Sequence, residues 1–349
     1  MSPRAVITGA AGTTLTAGER AFLREAEPWG LIVFKRNVET PAQLRALVDA
    51  FREAVGRADA PVLVDQEGGR VQRLGPPHWR HYPPGADYGR LYASDPEAGL
   101  GAAHLGARLI AHDLAALGIT VDCLPLADVP VAGADAVIGD RAYGTGVDQV
   151  VALAAAVAEG LMQGGVLPVL KHIPGHGRAA ADSHERLPTV DTPRIELART
   201  DFAAFRRLSG LPLGMTAHVV FSAIDPLAPA TTSATMVREV IRTEIGFDGL
   251  LMSDDVSMGA LSGALAERSR AAFAAGCDVV LHCNGRLDEM QAVAGAAPRL
   301  AGDAARRAAA ALAARRAPAP FDAASAWDEF TALLAGAPAA RPALQVSRR

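Results

Sequence analysis

Eight short apolar runs, separated by helical segments or long loops, constrain the fold of this chain more than any other feature of its sequence. Their apolar character is nearly continuous rather than alternating, which is typical of strands buried on both faces. Eight such strands alternating with helices favour a (β/α)8 barrel, with an open doubly wound sheet as the alternative because periodicity does not show closure. The predicted strands are Ala5–Thr8, Leu31–Phe34, Val62–Asp65, Ile119–Asp122, Val166–Lys171, Leu213–His218, Leu250–Asp254 and Val279–His282.

Two of the intervening segments carry clear signals for the start of a helix. Thr40, Pro41 and Gln43 form a capping box with proline at the first helical position, before apolar residues at helical spacing. Thr192 and Pro193 predict a second helix, and its apolar face would hold Ile195, Phe202, Phe205 and Leu208. The sequence therefore predicts the α/β class, one barrel domain over residues 1–336 and a loose tail over residues 337–349.

Composition and charge exclude several classes of function. The 349 residues are 50% hydrophobic, enough for a large core, and carry 34 basic and 38 acidic side chains without a basic block. No run approaches the roughly 18 apolar residues of a membrane span, and the N-terminus lacks the apolar stretch of a signal peptide. We expect a cytoplasmic protein with a small-molecule partner and with neither nucleic acid nor membrane as partner. The glycines near residue 10 have the wrong spacing for a dinucleotide-binding loop, and no cofactor is predicted.

Ionisable side chains at the ends of five predicted strands are candidates for a functional site. In a (β/α)8 barrel the carboxyl ends of all strands share one face, where active sites are built. We therefore expect a convergent polar site on this face rather than a merely solvated rim. The side chains concerned are Asp65, Lys171, His172, His218, Asp254, Asp255 and His282.

The two longest connections contribute further candidates. After Asp65 a pair of glycines permits a tight turn that directs the following arginines, among them Arg73, across the pocket mouth. Asp65 can accept hydrogen bonds from adjacent sugar hydroxyls, or it only fixes the loop through an arginine. In the second connection, Arg141 between glycines suits a guanidinium that reaches a substrate oxygen, and a pair with Asp140 or another loop acid is the alternative. The aromatic candidates for stacking on a ligand, or for plain packing, are Trp79, Tyr88 and Tyr143.

The loop after the fifth strand contains three histidines. His172 and His176 are four residues apart, but Pro174 and two glycines disfavour the helix that would make them a zinc pair, so metal binding is the weaker interpretation. Asp182 beside His184 suits a proton shuttle, because a carboxylate fixes the tautomer of an imidazole and raises its pKa. An exposed, solvated pair is the alternative.

Two aspartates follow the seventh apolar run. Strand alternation predicts that Asp254 faces the pocket and that Asp255 lies on the opposite side. Asp254 is thus a candidate nucleophile, general base or metal ligand. A metal-dependent hydrolase that used Asp254 with three histidines, His172, His176 and His218, remains an open alternative at this point.

Taken together, these segments resemble the bacterial β-N-acetylglucosaminidases of glycoside hydrolase family three. The motifs follow the order of that family from the first strand to about Asn284. Such an ordered set is far more specific than any one motif alone. The matching segments are Val64–Arg73, Gly139–Arg141, Lys171–Gly177, Asp182–His184 and Ser253–Asp255.

The resemblance implies a single (β/α)8-like barrel and a role for each matching residue. Asp254 matches the nucleophile, and His184 matches the acid/base, supported by Asp182. Family members of this kind remove the terminal N-acetylglucosamine from internalised peptidoglycan fragments that contain anhydro-N-acetylmuramic acid, as part of cell-wall recycling. The residues that match the groups binding the sugar ring are Asp65, Arg73, Arg141, Lys171 and His172.

The implied chemistry has one unusual component. Retaining glycosidases usually employ two carboxylates, whereas here the partner of Asp254 is an imidazole, His184. A neutral imidazole would not repel an anionic acceptor, so an N-acetylglucosaminide phosphorylase that uses phosphate instead of water is the alternative. A non-catalytic sugar-binding barrel would lack the loop that carries Asp182 and His184.

Overall fold

Eight parallel strands form a closed barrel in the computed structural model, which describes residues 2–336. Neighbours in the ring follow the order of the chain, and the last strand pairs with the first, with Val6 beside Val280. The predicted (β/α)8 barrel is confirmed. The strands are β1 (Arg4–Thr8), β2 (Pro28–Val33), β3 (Val62–Val64), β4 (Val121–Asp122), β5 (Leu167–Ile173), β6 (Leu213–Thr216), β7 (Leu250–Asp255) and β8 (Val279–His282).

Helices cover the outside of the barrel, and none of those in residues 2–336 is long and apolar enough to cross a membrane. Met236–Glu244 is a π-helical segment, and the short strands Gln66–Gly68 and Val71–Gln72 form a hairpin after β3. The predicted tail lies outside the described residues. The α-helices are α1 (Ala17–Ala26), α2 (Pro41–Val55), α3 (Gly85–Ser94), α4 (Pro96–Ala116), α5 (Val147–Gln163), α6 (Arg194–Arg199), α7 (Asp201–Arg207), α8 (Leu265–Ala275), α9 (Leu287–Ala296), α10 (Gly302–Ala313) and α11 (Ala323–Leu334).

Helix α2 begins where its sequence predicts, but only half of the predicted capping box forms, because the Gln43 side chain accepts from the backbone N–H of Glu39 at 2.9 Å and not from that of Thr40. The hydroxyl of Thr40 accepts a hydrogen bond from the backbone N–H of Gln43 at 3.2 Å, and Pro41 opens the helix. This cap satisfies one of the N–H groups that a helix start leaves without a partner. The predicted apolar face is fully confirmed, since these residues are all buried: Leu44, Leu47, Val48, Phe51 and Val55.

The second predicted helix is interrupted. Thr200 has φ −117° and ψ −88° and separates α6 from α7, so the two short helices present different faces to the core. The Thr200 hydroxyl donates to the carbonyl oxygen of Glu196 at 2.8 Å. The prediction that Ile195 shares the buried face is therefore wrong, because it is 66% exposed, whereas Phe202 and Phe205 of α7 are fully buried.

The two ends of the barrel differ. At the amino ends of the strands, Leu300 donates its backbone N–H to the carbonyl oxygen of Pro3 at 2.9 Å, just before β1. Leu300 packs with Ala308 and Ala311 of α10 against apolar side chains inside the barrel. The amino end is thus closed by α10, and the carboxyl ends of the strands are left for a site.

Candidate active site

A cavity of about 330 Å³ lies at the carboxyl ends of the barrel strands. It is lined by side chains from strands and loops that are far apart in the sequence. Four of the lining groups are aspartates and four are arginine or lysine, so the charges balance. The lining includes every residue to which the family resemblance gives a role: Asp65, Arg73, Arg141, Lys171, His172, Asp182, His184 and Asp254.

Asp254 lies at the end of β7, and its side chain faces the cavity. Its Oδ1 accepts a hydrogen bond of 2.8 Å from the backbone N–H of Asp255. Burial raises the pKa of Asp254, but nearby His218 and His172 and the Asp255 N–H together bring that pKa below its usual value. Asp254 is therefore an ionised carboxylate at neutral pH, as a nucleophile must be.

Asp182 and His184 form a hydrogen-bonded dyad on the loop after β5. The same carboxylate oxygen of Asp182 lies 2.7 Å from His184 Nδ1 and 2.8 Å from its backbone nitrogen. Burial raises the pKa of Asp182, and its hydrogen bonds from His184 outweigh this and lower it. With Nδ1 engaged, Nε2 is the ring nitrogen that is free for proton transfer, and the ring is 64% exposed.

A buried lysine connects two carboxylates in the cavity floor. Lys171 on β5 is only 2% exposed, and its Nζ lies 2.7 Å from Glu67 and 3.2 Å from Asp65. Asp65 also binds Arg73 at 2.9 Å. Although burial opposes ionisation, Lys171 and Arg73 hold the pKa of Asp65 well below its usual range. The ion pair proposed as the alternative role of Asp65 is thus present, and Asp65 faces the cavity as well.

Arg141 makes a bidentate ion pair with a carboxylate that sequence reasoning left without a role. Its Nε and Nη2 bind the two oxygens of Glu67 at 2.9 and 2.8 Å. Against the effect of burial, Arg141 and Lys171 lower the pKa of Glu67 to about 2. Asp140, the alternative partner, instead accepts from Arg70 at 3.0 Å. Glu67 fixes the orientation of both cations, leaving their remaining N–H groups for a ligand.

Asp128, which follows β4, fixes the histidines of the β5 loop. Its two oxygens lie 2.7 Å from His172 Nδ1 and 2.6 Å from the backbone nitrogen of His176. Burial raises the pKa of Asp128, and His172 outweighs burial to lower it. His172 faces the cavity, so its orientation there is set by a residue that does not line it.

A sequence profile of the glycosyl hydrolase family 3 N-terminal domain matches residues 11–312. The chain belongs to glycoside hydrolase family 3. It is therefore an enzyme of the glycoside hydrolase class, and the cavity is the candidate active site of this family 3 enzyme.

Similar proteins agree with this membership. A beta-hexosaminidase of Alkalilimnicola ehrlichii is 43% identical over 283 residues, which cover 80% of each chain. A beta-hexosaminidase of Pseudomonas aeruginosa LESB58 is 41% identical over 286 residues, covering 81% of this chain and 83% of the relative. The structure of NagZ from Neisseria gonorrhoeae with N-trifluoroacetyl-D-glucosamine has a TM-score of 0.83 and 32% identity, over 96% of this chain and 97% of NagZ.

Two strand-end histidines of the family 3 enzyme lie behind the cavity instead of facing it. His218 is fully buried, with Nδ1 2.7 Å from Thr231 and Nε2 3.0 Å from the carbonyl oxygen of Asp255. His282 is also fully buried and contacts Glu289 at 3.2 Å. They were expected in the polar site because they end strands, but the inward or outward direction of a strand-end side chain depends on the local backbone.

Three further expectations change with the structure. Asp255 was predicted to face away, yet it lines the cavity together with Asp254. The three aromatic candidates for stacking do not line it: Tyr88 and Tyr143 are buried in the core, and Trp79 packs against the core. The proposed metal set does not converge, since no three His, Cys, Asp or Glu side chains within residues 2–336 are arranged to hold a metal ion.

Sequence reasoning missed two positioning residues of the family 3 enzyme. Glu67 lies inside a recognised motif, two residues after Asp65, so a signal for it existed. The sequence signal for Asp128 was weaker, because it is only a single carboxylate in the apolar stretch Leu126–Val129. The catalytic and binding roles of the eight predicted residues stay predictions.

Proposed function

We propose that this family 3 enzyme is a retaining exo-β-N-acetylglucosaminidase. The observation that carries the proposal is that an ionised aspartate, Asp254, faces the same cavity as the Asp182–His184 dyad. A nucleophile and a proton donor that line one small cavity are the two groups that a retaining glycosidase needs. The names of the relatives, beta-hexosaminidases, agree with this chemistry.

The size and charge of the cavity support one uncharged amino-sugar ring as its occupant. About 330 Å³ is at the lower end of ligand pockets, which is consistent with exo action on a terminal residue. Asp65 suits the acceptance of sugar hydroxyl groups, while Lys171 and Arg141 donate to ring oxygens. The related NagZ structure contains N-trifluoroacetyl-D-glucosamine, an amino sugar.

In the first step, an oxygen of Asp254 attacks the anomeric carbon and forms a glycosyl-aspartate bond. The bond from that carbon to the leaving oxygen breaks, and Nε2–H of His184 gives the leaving oxygen its proton. Asp182 accepts from Nδ1 of the same ring, which keeps Nε2 directed into the cavity and stabilises the charged imidazole before transfer.

In the second step, the neutral His184 removes a proton from water while the water oxygen attacks the anomeric carbon. The glycosyl-aspartate bond breaks, Asp254 regains its negative charge, and N-acetylglucosamine leaves with retained configuration. Because His218, His172 and the Asp255 N–H stabilise the ionised form of Asp254, the carboxylate is also a competent leaving group.

For the substrate, we propose fragments in which N-acetylglucosamine is β-1,4-linked to anhydro-N-acetylmuramic acid, with or without peptide. The enzyme would act on them in the cytoplasm during peptidoglycan recycling. The test compares the disaccharide N-acetylglucosaminyl-anhydro-N-acetylmuramic acid with chitobiose. We expect the higher kcat/KM on the former, and a clear preference for chitobiose would contradict this assignment.

The activity itself is tested with 4-nitrophenyl N-acetyl-β-D-glucosaminide, with and without phosphate. We expect free N-acetylglucosamine in both buffers. N-acetylglucosamine 1-phosphate as the main product would instead identify the phosphorylase that a histidine acid/base makes chemically feasible. No turnover by folded protein would reject both.

The role of His184 is tested by varying the leaving group. His184→Ala should lower kcat/KM about 10²- to 10⁴-fold for alkyl or sugar leaving groups, which need protonation. Activated aryl glycosides need little protonation, so their cleavage should fall much less. Equal losses on both substrate types would assign His184 a structural role.

A further inference from the structure

The residue between the two catalytic candidates ties the dyad to the beginning of the same loop, just after β5. Ser183 is only 2% exposed, whereas Asp182 and His184 on either side of it face the cavity. The hydroxyl of Ser183 lies 2.9 Å from Nε2 of His176. The loop therefore has one side chain that points into the protein while its two neighbours point into the site.

His176 is a rigid support for this contact. Its backbone N–H donates to Asp128, and the residue is 3% exposed. A Cβ on the following Gly177 would overlap the carbonyl oxygen of Val129, so the backbone here packs directly on the segment after β4. The carboxylate of Asp128 that holds His176 also binds His172 in the cavity wall. Asp128 therefore holds both His172 in the cavity wall and His176, which contacts the dyad loop.

We propose that His176 is a positioning residue, whose ring sets the place of Ser183 and through it the distance from His184 to the bond being cleaved. The proposal rests on the proposed function, in which His184 transfers the proton. Burial, together with the charge of His172, lowers the pKa of His176 to about 4, so the ring is neutral near pH 7 and the contact does not change with pH there.

The other ties of this part of the loop come from the backbone of the segment after β7. Gly259 donates to the carbonyl oxygen of His184 at 3.1 Å, and Ala260 donates to that of Ser183 at 3.2 Å. These bonds hold the loop from the side of Asp254, and His176 holds it from the side of His172. Losing the second tie should leave the loop folded but displaced, and a displacement of about 1 Å can cost on the order of 10²-fold in rate.

The experiment uses Ser183→Ala, which removes the hydroxyl without adding volume. We expect kcat/KM on a disaccharide with a poor leaving group to fall roughly 10- to 100-fold, and kcat/KM on an activated aryl glycoside, which reports only the first step, to fall less than about 3-fold. The matched control is Ser222→Ala, which removes a hydrogen bond of 2.7 Å to Asp191 on another loop and should change neither substrate.

Variants of His176 distinguish a tie to Ser183 from general packing. His176→Gln places an amide nitrogen near the position of Nε2 and should retain most activity, whereas His176→Asn should behave as Ser183→Ala does. The double variant Ser183→Ala with His176→Asn should be no slower than either single variant, because both remove one contact. Additive losses, or equal losses on both substrates, would overturn the proposal.

A readout that needs no substrate separates this proposal from the proposed function. Trypsin can cleave the dyad loop after Arg186, which is exposed. Ser183→Ala and His176→Asn should be cleaved there several-fold faster than wild type, and Ser222→Ala should not. Unchanged protection in both variants would overturn the tie even if the enzyme is active, and faster cleavage would support it even if the substrate proves different.

Discussion

At the scale of single residues, the charged side chains in the floor of the cavity are paired with one another and not isolated. Lys171 is nearly inaccessible and lies between Asp65 and Glu67, while Glu67 also binds Arg141. Removing one partner from such a group leaves an uncompensated buried charge, which costs more than the pair contributes. The same pairing gives each cation a defined orientation before a sugar binds.

Glu67→Gln should therefore affect both binding and stability. We expect KM to rise and the free energy of unfolding to fall by about 3 kcal/mol, because Lys171 and Arg141 lose a buried counter-charge. Urea unfolding and steady-state kinetics measure the two effects. The control is Asp140→Asn, which breaks a half-exposed pair with Arg70 and should cost less than about 1 kcal/mol. Equal losses in the two variants would contradict this account.

Asp254→Asn should abolish turnover while leaving the sugar site intact. We expect kcat to fall on the order of 10⁴-fold or more, as when other catalytic nucleophiles are removed. Because the Asp254 carboxylate accepts its hydrogen bond from the backbone N–H of Asp255 and not from a sugar-binding side chain, the affinity for N-acetylglucosamine, measured by calorimetry, should change little. Substantial residual turnover would remove Asp254 as the nucleophile.

At the scale of elements, strands and loops differ in how far the sequence reveals them. All eight apolar runs are barrel strands. They could be predicted because a strand buried on both faces has a continuous apolar sequence of its own. The break between α6 and α7 at Thr200 could not be predicted from the sequence pattern, since the two helices together have the apolar spacing of one helix. Asp128 was missed for a related reason: its partner His172 is 44 positions away, and only the closed barrel brings them together.

The contact between two loops gives a prediction at this scale. A Cβ at Gly259 would lie 2.6 Å from the carbonyl oxygen of Glu185 and 2.9 Å from that of His184. Gly259→Ala should therefore displace the dyad loop and lower kcat about 10-fold or more, with little change in the melting temperature. The control is Gly12→Ala, where the added methyl meets no atom within 4 Å. Equal kinetics in the two variants would show that the loop accommodates the added methyl group without loss of activity.

At the scale of the whole molecule, buried ionisable groups connect stability to pH. The pKa of His176 is about 4 in the folded protein, against an ordinary value of 6.5. The unfolded chain therefore takes up this proton first, so the stabilisation is fully present above about pH 6.5 and is lost as the pH falls through 4. Burial raises the pKa of Asp122 well above its usual range, and that group acts in the opposite sense.

His176→Gln should flatten this part of the stability profile. The free energy of unfolding, measured by urea titration between pH 7.5 and 4, should fall less in the variant than in wild type. The two proteins should differ in this fall by roughly 3 kcal/mol at most. Asp122 is present in both proteins, so its contribution cancels in the comparison. Parallel profiles would mean that His176 is not buried as a neutral ring.

The pairing of β1 with β8 has a consequence for synthesis on the ribosome. β1 emerges before the other barrel strands, but one of its two neighbours is residues 279–282, and α10, the helix that closes the barrel beneath it, emerges later still. Until β8 has emerged, the growing sheet has two unpaired edges, which are templates for association with other chains. A chain released before β8 would keep both edges open, however well its first seven strands had formed.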